Sequence, residues 1–133
     1  MTLVVDASVA VLWTLAQSKS DEAAALRTEG DIIAPSLIVA EIGNAIWKAV
    51  RHGDLPSHES NAAVEIALGP ISALIPMEEL RTRALELSLA VDHPIYHCFY
   101  LALAERERVP LVCADDRLMR KARPLAGIEI RAV

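Results

Sequence analysis

Hydrophobic and polar positions along the chain switch between two periods. Leu3 to Asp6 is a short β-branched run closing on an acid, which predicts a buried strand. Val9, Leu12, Trp13 and Ala16 then recur at helical spacing behind Ser8, which reads as the helix cap. Asp21 to Glu29 predicts an alanine-rich helix closed by Gly30. Ile32 to Ala34 is a brief strand ahead of Pro35. A long helix follows from Ser36 to about His52, stopped by Gly53, and another from Pro56 to Leu68, ended by Gly69–Pro70.

The second half continues the alternation. Ser72 to Ile75 reads as a strand and Glu78 to Val91 as a helix, and Pro94 suits the first turn of a helix from Ile95 to Arg108. Leu111 to Ala114 is a strand, a short helix runs to about Ala122, and Ile128 to Arg131 closes as an edge strand. Strands alternating with helices imply an α/β fold, a three-layer α/β/α sandwich around a central, mainly parallel sheet. No repeat, low-complexity stretch or linker breaks the pattern, so residues 1–133 read as a single domain.

Composition agrees. The 133 residues are 53% hydrophobic with few aromatics, which suits helices packed on a buried sheet and excludes a disordered chain. The apolar opening has no basic start and is interrupted by Asp6, unlike a signal peptide. No run approaches the roughly 20 apolar residues of a membrane span. Cys98 and Cys113 lie in apolar strings, as buried reduced thiols do, so the expectation is a soluble, cytoplasmic protein without membrane contact.

A net charge of −5 weighs against a nucleic-acid partner, but the distribution weighs the other way. Arg117, Arg120, Lys121 and Arg123 follow the acids Asp115 and Asp116, and Lys48, Arg51 and His52 end the long helix that also carries Glu41. Such runs commonly complement helix dipoles. Beside metal-holding carboxylates they could also grip phosphate.

Three acids stand out. Ligands of open parallel sheets bind beyond the carboxyl ends of the strands, where strand order reverses. Asp6 and Asp115 each follow a strand directly. With Ser8 available as the cap, Asp6 is the harder of the two to explain structurally. Glu41 lies on a mostly apolar helix with Asn44 one turn away, and a carboxylate on an apolar face needs a partner.

Taken together, VVDASVAVLW, the E-x-x-N helix, HPIYHCFYLALAERERVPLV and CADDRL resemble the PIN domain of the VapC toxin group, over the whole chain and in the same order. The resemblance implies a metal-dependent endoribonuclease toxin of a type II toxin–antitoxin system, hydrolysing RNA phosphodiester bonds with Mg²⁺ or Mn²⁺. It implies Asp6, Glu41 and Asp115 as metal-holding catalytic acids, and it implies a homodimer and a VapB-type antitoxin as partners. Within that expectation Ser8 and Asn44 would orient metal-bound waters and Arg117 would contact phosphate. The chain departs from the family pattern at one position. His97 stands where the family carries a third carboxylate, which makes it an additional candidate ligand. The same departure leaves open a catalytically impaired PIN-fold module that binds RNA or protein. A haloacid-dehalogenase-type phosphatase and a zinc site at His93 and His97 are weaker readings. Ser8 replaces the second acid of the former, and Pro94 separates the histidines of the latter.

Overall fold

The computed structural model describes residues 1–15, 19–114, 116–122, 125 and 127–133, the side chains at 116 and 118 excepted. In chain order the elements are β1 (Thr2–Val5), α1 (Ala7–Ala10) with a 3₁₀ turn at Val11–Trp13, α2 (Ser20–Leu26), β2 (Asp31–Pro35) and α3 (Ile38–Arg51). A 3₁₀ turn at Ser57–Glu59 leads into α4 (Ser60–Leu68), then β3 (Ile71–Ile75), α5 (Met77–Val91), α6 (Ile95–Glu107), β4 (Leu111–Cys113), α7 (Asp116–Ala122) and β5 (Ile130–Ala132).

The strands form one sheet in the order β3-β2-β1-β4-β5, and every pairing is parallel. Parallel neighbours require crossovers, and these are nearly always right-handed. The order runs one way from β1 through β3 and the other way from β1 through β5, so the helices before β3 and those between β3 and β4 cover opposite faces. The three-layer sandwich expected from the alternation is therefore the one formed.

Burial follows that layering. β1 is central, with Leu3, Val4 and Val5 fully buried, and edge strand β3 exposes Ser72, Ala73 and Leu74. Helix α6 packs on β1, β2 and β4 on one side and α5 on the other. This explains why Cys98 through Ala104 are buried without a break, since a helix enclosed all round has no polar face. Helix α3 instead buries the single stripe Ile38, Ile42, Ile46 and Ala49 and leaves Val39 and Trp47 exposed.

The short α2 ends at Leu26, earlier than its alanine-rich sequence suggests, and the chain reaches β2 through turns. Gly30 in that stretch is needed for proximity. A Cβ there would lie 2.3 Å from the Met1 carbonyl oxygen, too close for any side chain. Gly53 ends the α3 segment with φ +81, the left-handed conformation glycine adopts at least cost. Arg131 clamps the last strand to the α2–β2 turn through both Glu29 oxygens, at 2.7 and 3.2 Å. No helix among the described residues is long and apolar enough to cross a membrane.

Candidate metal and phosphate site

Strand order reverses between β1 and β4, and Asp6 lies at that switch point. The β1–β4 register pairs Val5 with Val112, and one step further it sets Asp6 beside Cys113. The contacts follow from that placement. Asp6 donates its backbone N–H to the Val112 carbonyl at 3.3 Å, and the Cys113 thiol donates to Asp6 Oδ2 at 3.0 Å. Asp6 Oδ1 accepts from the Ser8 hydroxyl and from the Val9 N–H at 3.3 Å. Only 2% of Asp6 is exposed, and it is the one buried charged residue among those described.

This corrects the reading of Ser8 as the helix cap. Asp6 occupies the N-cap with extended backbone and its side chain accepts from Val9, while Ser8 lies inside α1. Asp6 wins because its carboxylate comes straight off the strand end, within reach of the free N–H groups of the first turn. The Ser8 hydroxyl works elsewhere, donating to Asp6 and accepting from the Ala114 N–H at 3.0 Å. It therefore locks Asp6 to the end of β4.

Glu41 comes from the first turn of α3, where the helix N-terminus favours negative charge. Leu37, Glu41, Asn44, Ala45 and Lys48 form a second stripe of α3, beside its buried one. That stripe, with Ala7, Ser8, Val11, Tyr96 and His97, lines a cavity of about 500 Å³. Glu41 Oε1 accepts from the Tyr100 hydroxyl at 2.6 Å, across 59 residues of sequence. A second cavity of about 330 Å³ shares Glu41, Tyr96 and His97 and adds His93, Pro94 and Arg117. Lys48 and Arg117 thus border the two cavities that meet at Glu41.

Electrostatics tie these groups together. Burial pushes the Asp6 carboxyl up from the usual carboxylate range, against the opposing pull of Ser8, Cys113, His97 and the Val9 N–H. Glu41 is raised by burial too, and by the charge of Asp6, while the Tyr100 hydrogen bond and His97 lower it. The Tyr100 phenol is pushed up by burial and then by Glu41. Each acid feels His97, and Glu41 feels Asp6, so the three side chains share one field. Asp115 lies outside the described residues.

His97 is itself held. Its Nδ1 lies 2.8 Å from His93 Nε2, and the two rings stack with centroids 5.1 Å apart. Cys98 takes no part in this pair. It is buried and donates to the Pro94 carbonyl at 3.7 Å. Among the described residues no three of His, Cys, Asp and Glu are grouped so as to cage a metal ion. Mg²⁺ makes a different demand. It retains several waters and is commonly held by one or two carboxylates plus substrate phosphate. Asp6 and Glu41 fit that demand, because both are penalised as anions by burial and a dication would relieve the penalty.

Sequence reasoning overlooked Tyr100 and Tyr96 as parts of this site, weighed His93 only as a zinc ligand, and missed the thiol contact of Cys113. Tyr100 carried a usable signal. A tyrosine inside the buried run FYLALA must find a hydrogen-bond partner. Cys113 carried none until the strand register was known.

Known proteins echo this architecture. A family profile described as the PIN domain matches residues 3–124. Ribonuclease VapC1 of Mycobacterium tuberculosis is 33% identical over 102 residues, which span 75% of this chain and 73% of the relative. Among solved structures, PAE2754 from Pyrobaculum aerophilum superposes with a TM-score of 0.68 at 24% identity, covering 98% of this chain and 92% of the other. VapBC2 from Rickettsia felis, solved bound to a DNA fragment from its promoter, gives 0.73 at 13% identity over 100% and 99% of the chains. At such identities these two structures speak for the fold.

Proposed function

The chain belongs to the PIN-domain family, and from that premise we propose that it is a divalent-metal-dependent endoribonuclease toxin of the VapBC type, with residues 1–133 acting as one PIN domain in the cytoplasm. The observation carrying this reading is a pair of neighbouring acids, the buried Asp6 and the half-buried Glu41 that feels its charge, at the switch point of a parallel sheet beside an open cavity. Nuclease chemistry needs concentrated negative charge to hold a cation against RNA phosphate, and the capping role of Asp6 does not account for a second acid beside it. Membership of a family that includes a ribonuclease supports RNA as the substrate.

In this reading Asp6 and Glu41 hold Mg²⁺ or Mn²⁺, with Asp115 as the third acid and His97 as an additional ligand. A bound dication supplies Lewis-acid charge to the phosphate and lowers the pKa of an attacking water. The protein's own groups orient the reactants. Ser8 keeps Asp6 turned to the strand ends through its two hydrogen bonds. Asn44, on the cavity stripe of α3, positions water, and Lys48 and Arg117 position phosphates on either side of Glu41. The apolar wall of Val11, Leu37 and Ala45 suits a polypeptide segment, in line with a VapB-type antitoxin. A homodimer remains part of the proposal, supported by the exposed Val39 and Trp47 of α3.

His97 in place of an acid favours one alternative, a PIN-fold module that binds RNA or protein without cutting. One experiment separates the two. Pure protein is incubated with structured RNA and Mg²⁺ or Mn²⁺, beside Asp6→Ala. Metal-dependent cleavage lost in the variant supports the nuclease. RNA binding without cleavage in either metal would replace it with the module.

A further inference from the structure

Tyr100 is the largest fully buried side chain among the described residues, and phenylalanine would fill its space equally well. A buried phenol without a partner is costly, so its hydroxyl needs a reason. That hydroxyl donates to Glu41 Oε1 at 2.6 Å. One oxygen thus braces the acid on α3 against the sheet whose strand β1 leads into the other acid. It does so from α6, a helix whose buried body packs against β1, β2 and β4.

We propose that Tyr100 is a positioning residue, holding Glu41 at a fixed separation from Asp6 so that the two carboxylates receive one divalent cation. The inference rests on the metal-dependent reading given above. Glutamate has three rotatable bonds, and two like charges in a buried site drive each other apart. A single hydrogen bond to Oε1 opposes both tendencies and leaves Oε2 for the cation. Asp6 needs no such strut, because Ser8, Val9 and Cys113 already fix it. Glu41 has Tyr100.

The test is Tyr100→Phe, which keeps the ring and removes only the hydroxyl. Its fold is checked by circular dichroism, and Mn²⁺ and Mg²⁺ are titrated calorimetrically without RNA. Losing a partner that orients a metal ligand typically weakens metal binding by about 10–100-fold, and that loss is expected here. With saturating metal, the KM for RNA should hold while kcat falls. A purely structural hydroxyl would lower the melting temperature and leave metal affinity untouched, and that outcome overturns the proposal. In a Glu41→Gln background, Tyr100→Phe should cost no further affinity, and additive losses would also overturn it. If the wild type binds neither ion, the metal site itself fails, and the role of Tyr100 with it. Wild-type binding matched by the variant removes only the role of Tyr100.

Discussion

Asp6→Asn should make the metal-free protein more stable at neutral and alkaline pH while abolishing its response to Mg²⁺. Asp6 is 2% exposed, and burial is the largest influence on its carboxyl, which titrates above its ordinary value. A folded-state pKa above the unfolded one means that the native state binds the proton more tightly. Stability is then fullest below the unfolded value and declines as pH climbs through the folded value. Asparagine removes that decline. It also preserves the cap, since Asn and Asp serve equally well at that position. The effective penalty for a buried ion is several kcal/mol, partly offset by charge-assisted hydrogen bonds about twice as strong as neutral ones. Asparagine can still accept from Ser8 and Val9, losing about 1 kcal/mol of charge assistance, so a net gain of about 1–2 kcal/mol is expected. Spread over the unfolding entropy of a chain this long, that is about 4–7 °C in Tm. The assay is a set of thermal melts in EDTA at pH 5 and pH 8. The variant should gain more at pH 8. Adding Mg²⁺ at about 100 times its Kd should then lift only the wild type, by about 2.7 kcal/mol, and reverse the order. A variant less stable than wild type at pH 8 in EDTA would refute the reasoning, because it would mean that the ionised carboxylate is not penalised.

His97→Asp removes a positive influence that lowers both Asp6 and Glu41, so it should lower the metal-free Tm and tighten Mg²⁺ binding. Cleavage in Mg²⁺ should rise about tenfold if roughly 1.4 kcal/mol of transition-state stabilisation is recovered, and an unchanged calorimetric affinity would show that position 97 does not meet the ion. Gly53→Ala should cost about 1–2 kcal/mol from backbone strain alone, because φ is +81 and nothing lies within 4 Å of the added Cβ. Equilibrium urea unfolding measures it, and a neutral result would mean that the turn relaxes.

Much of the fold was legible because burial imposes period. Parallel strands closed in on both faces read as continuous apolar runs, and α3 shows its one-sided stripe. Ends were less legible. Local signals compete within a residue or two, and in the first turn both Asp6 and Ser8 suit a cap. The winner depended on where β1 released the chain relative to β4, and no local pattern encodes that distance. Helix α2 stopped early for a similar reason: alanine propagates a helix, but here the chain must turn back to pair Asp31 beside Thr2.

Residues of the site were legible in proportion to how badly they fit their surroundings. Asp6 and Glu41 stood out as charges in apolar strings, where any fold must give them a partner or change their protonation. Tyr100 and Cys113 did not stand out, because both suit a core and their polar atoms are small parts of apolar bodies. Yet those atoms hold the acids, across 59 residues for Tyr100 and 107 for Cys113. Conflict with the environment is visible in one dimension. The group that resolves the conflict becomes visible only when the register sets Asp6 beside Cys113 and α6 carries a hydroxyl to Glu41. A charged residue inside an apolar run therefore marks where to look, and the next buried hydroxyl or thiol in space tells what the charge is for. In this chain both supporting groups converge on oxygens of the same two acids, as a site built to hold those acids at a fixed separation requires.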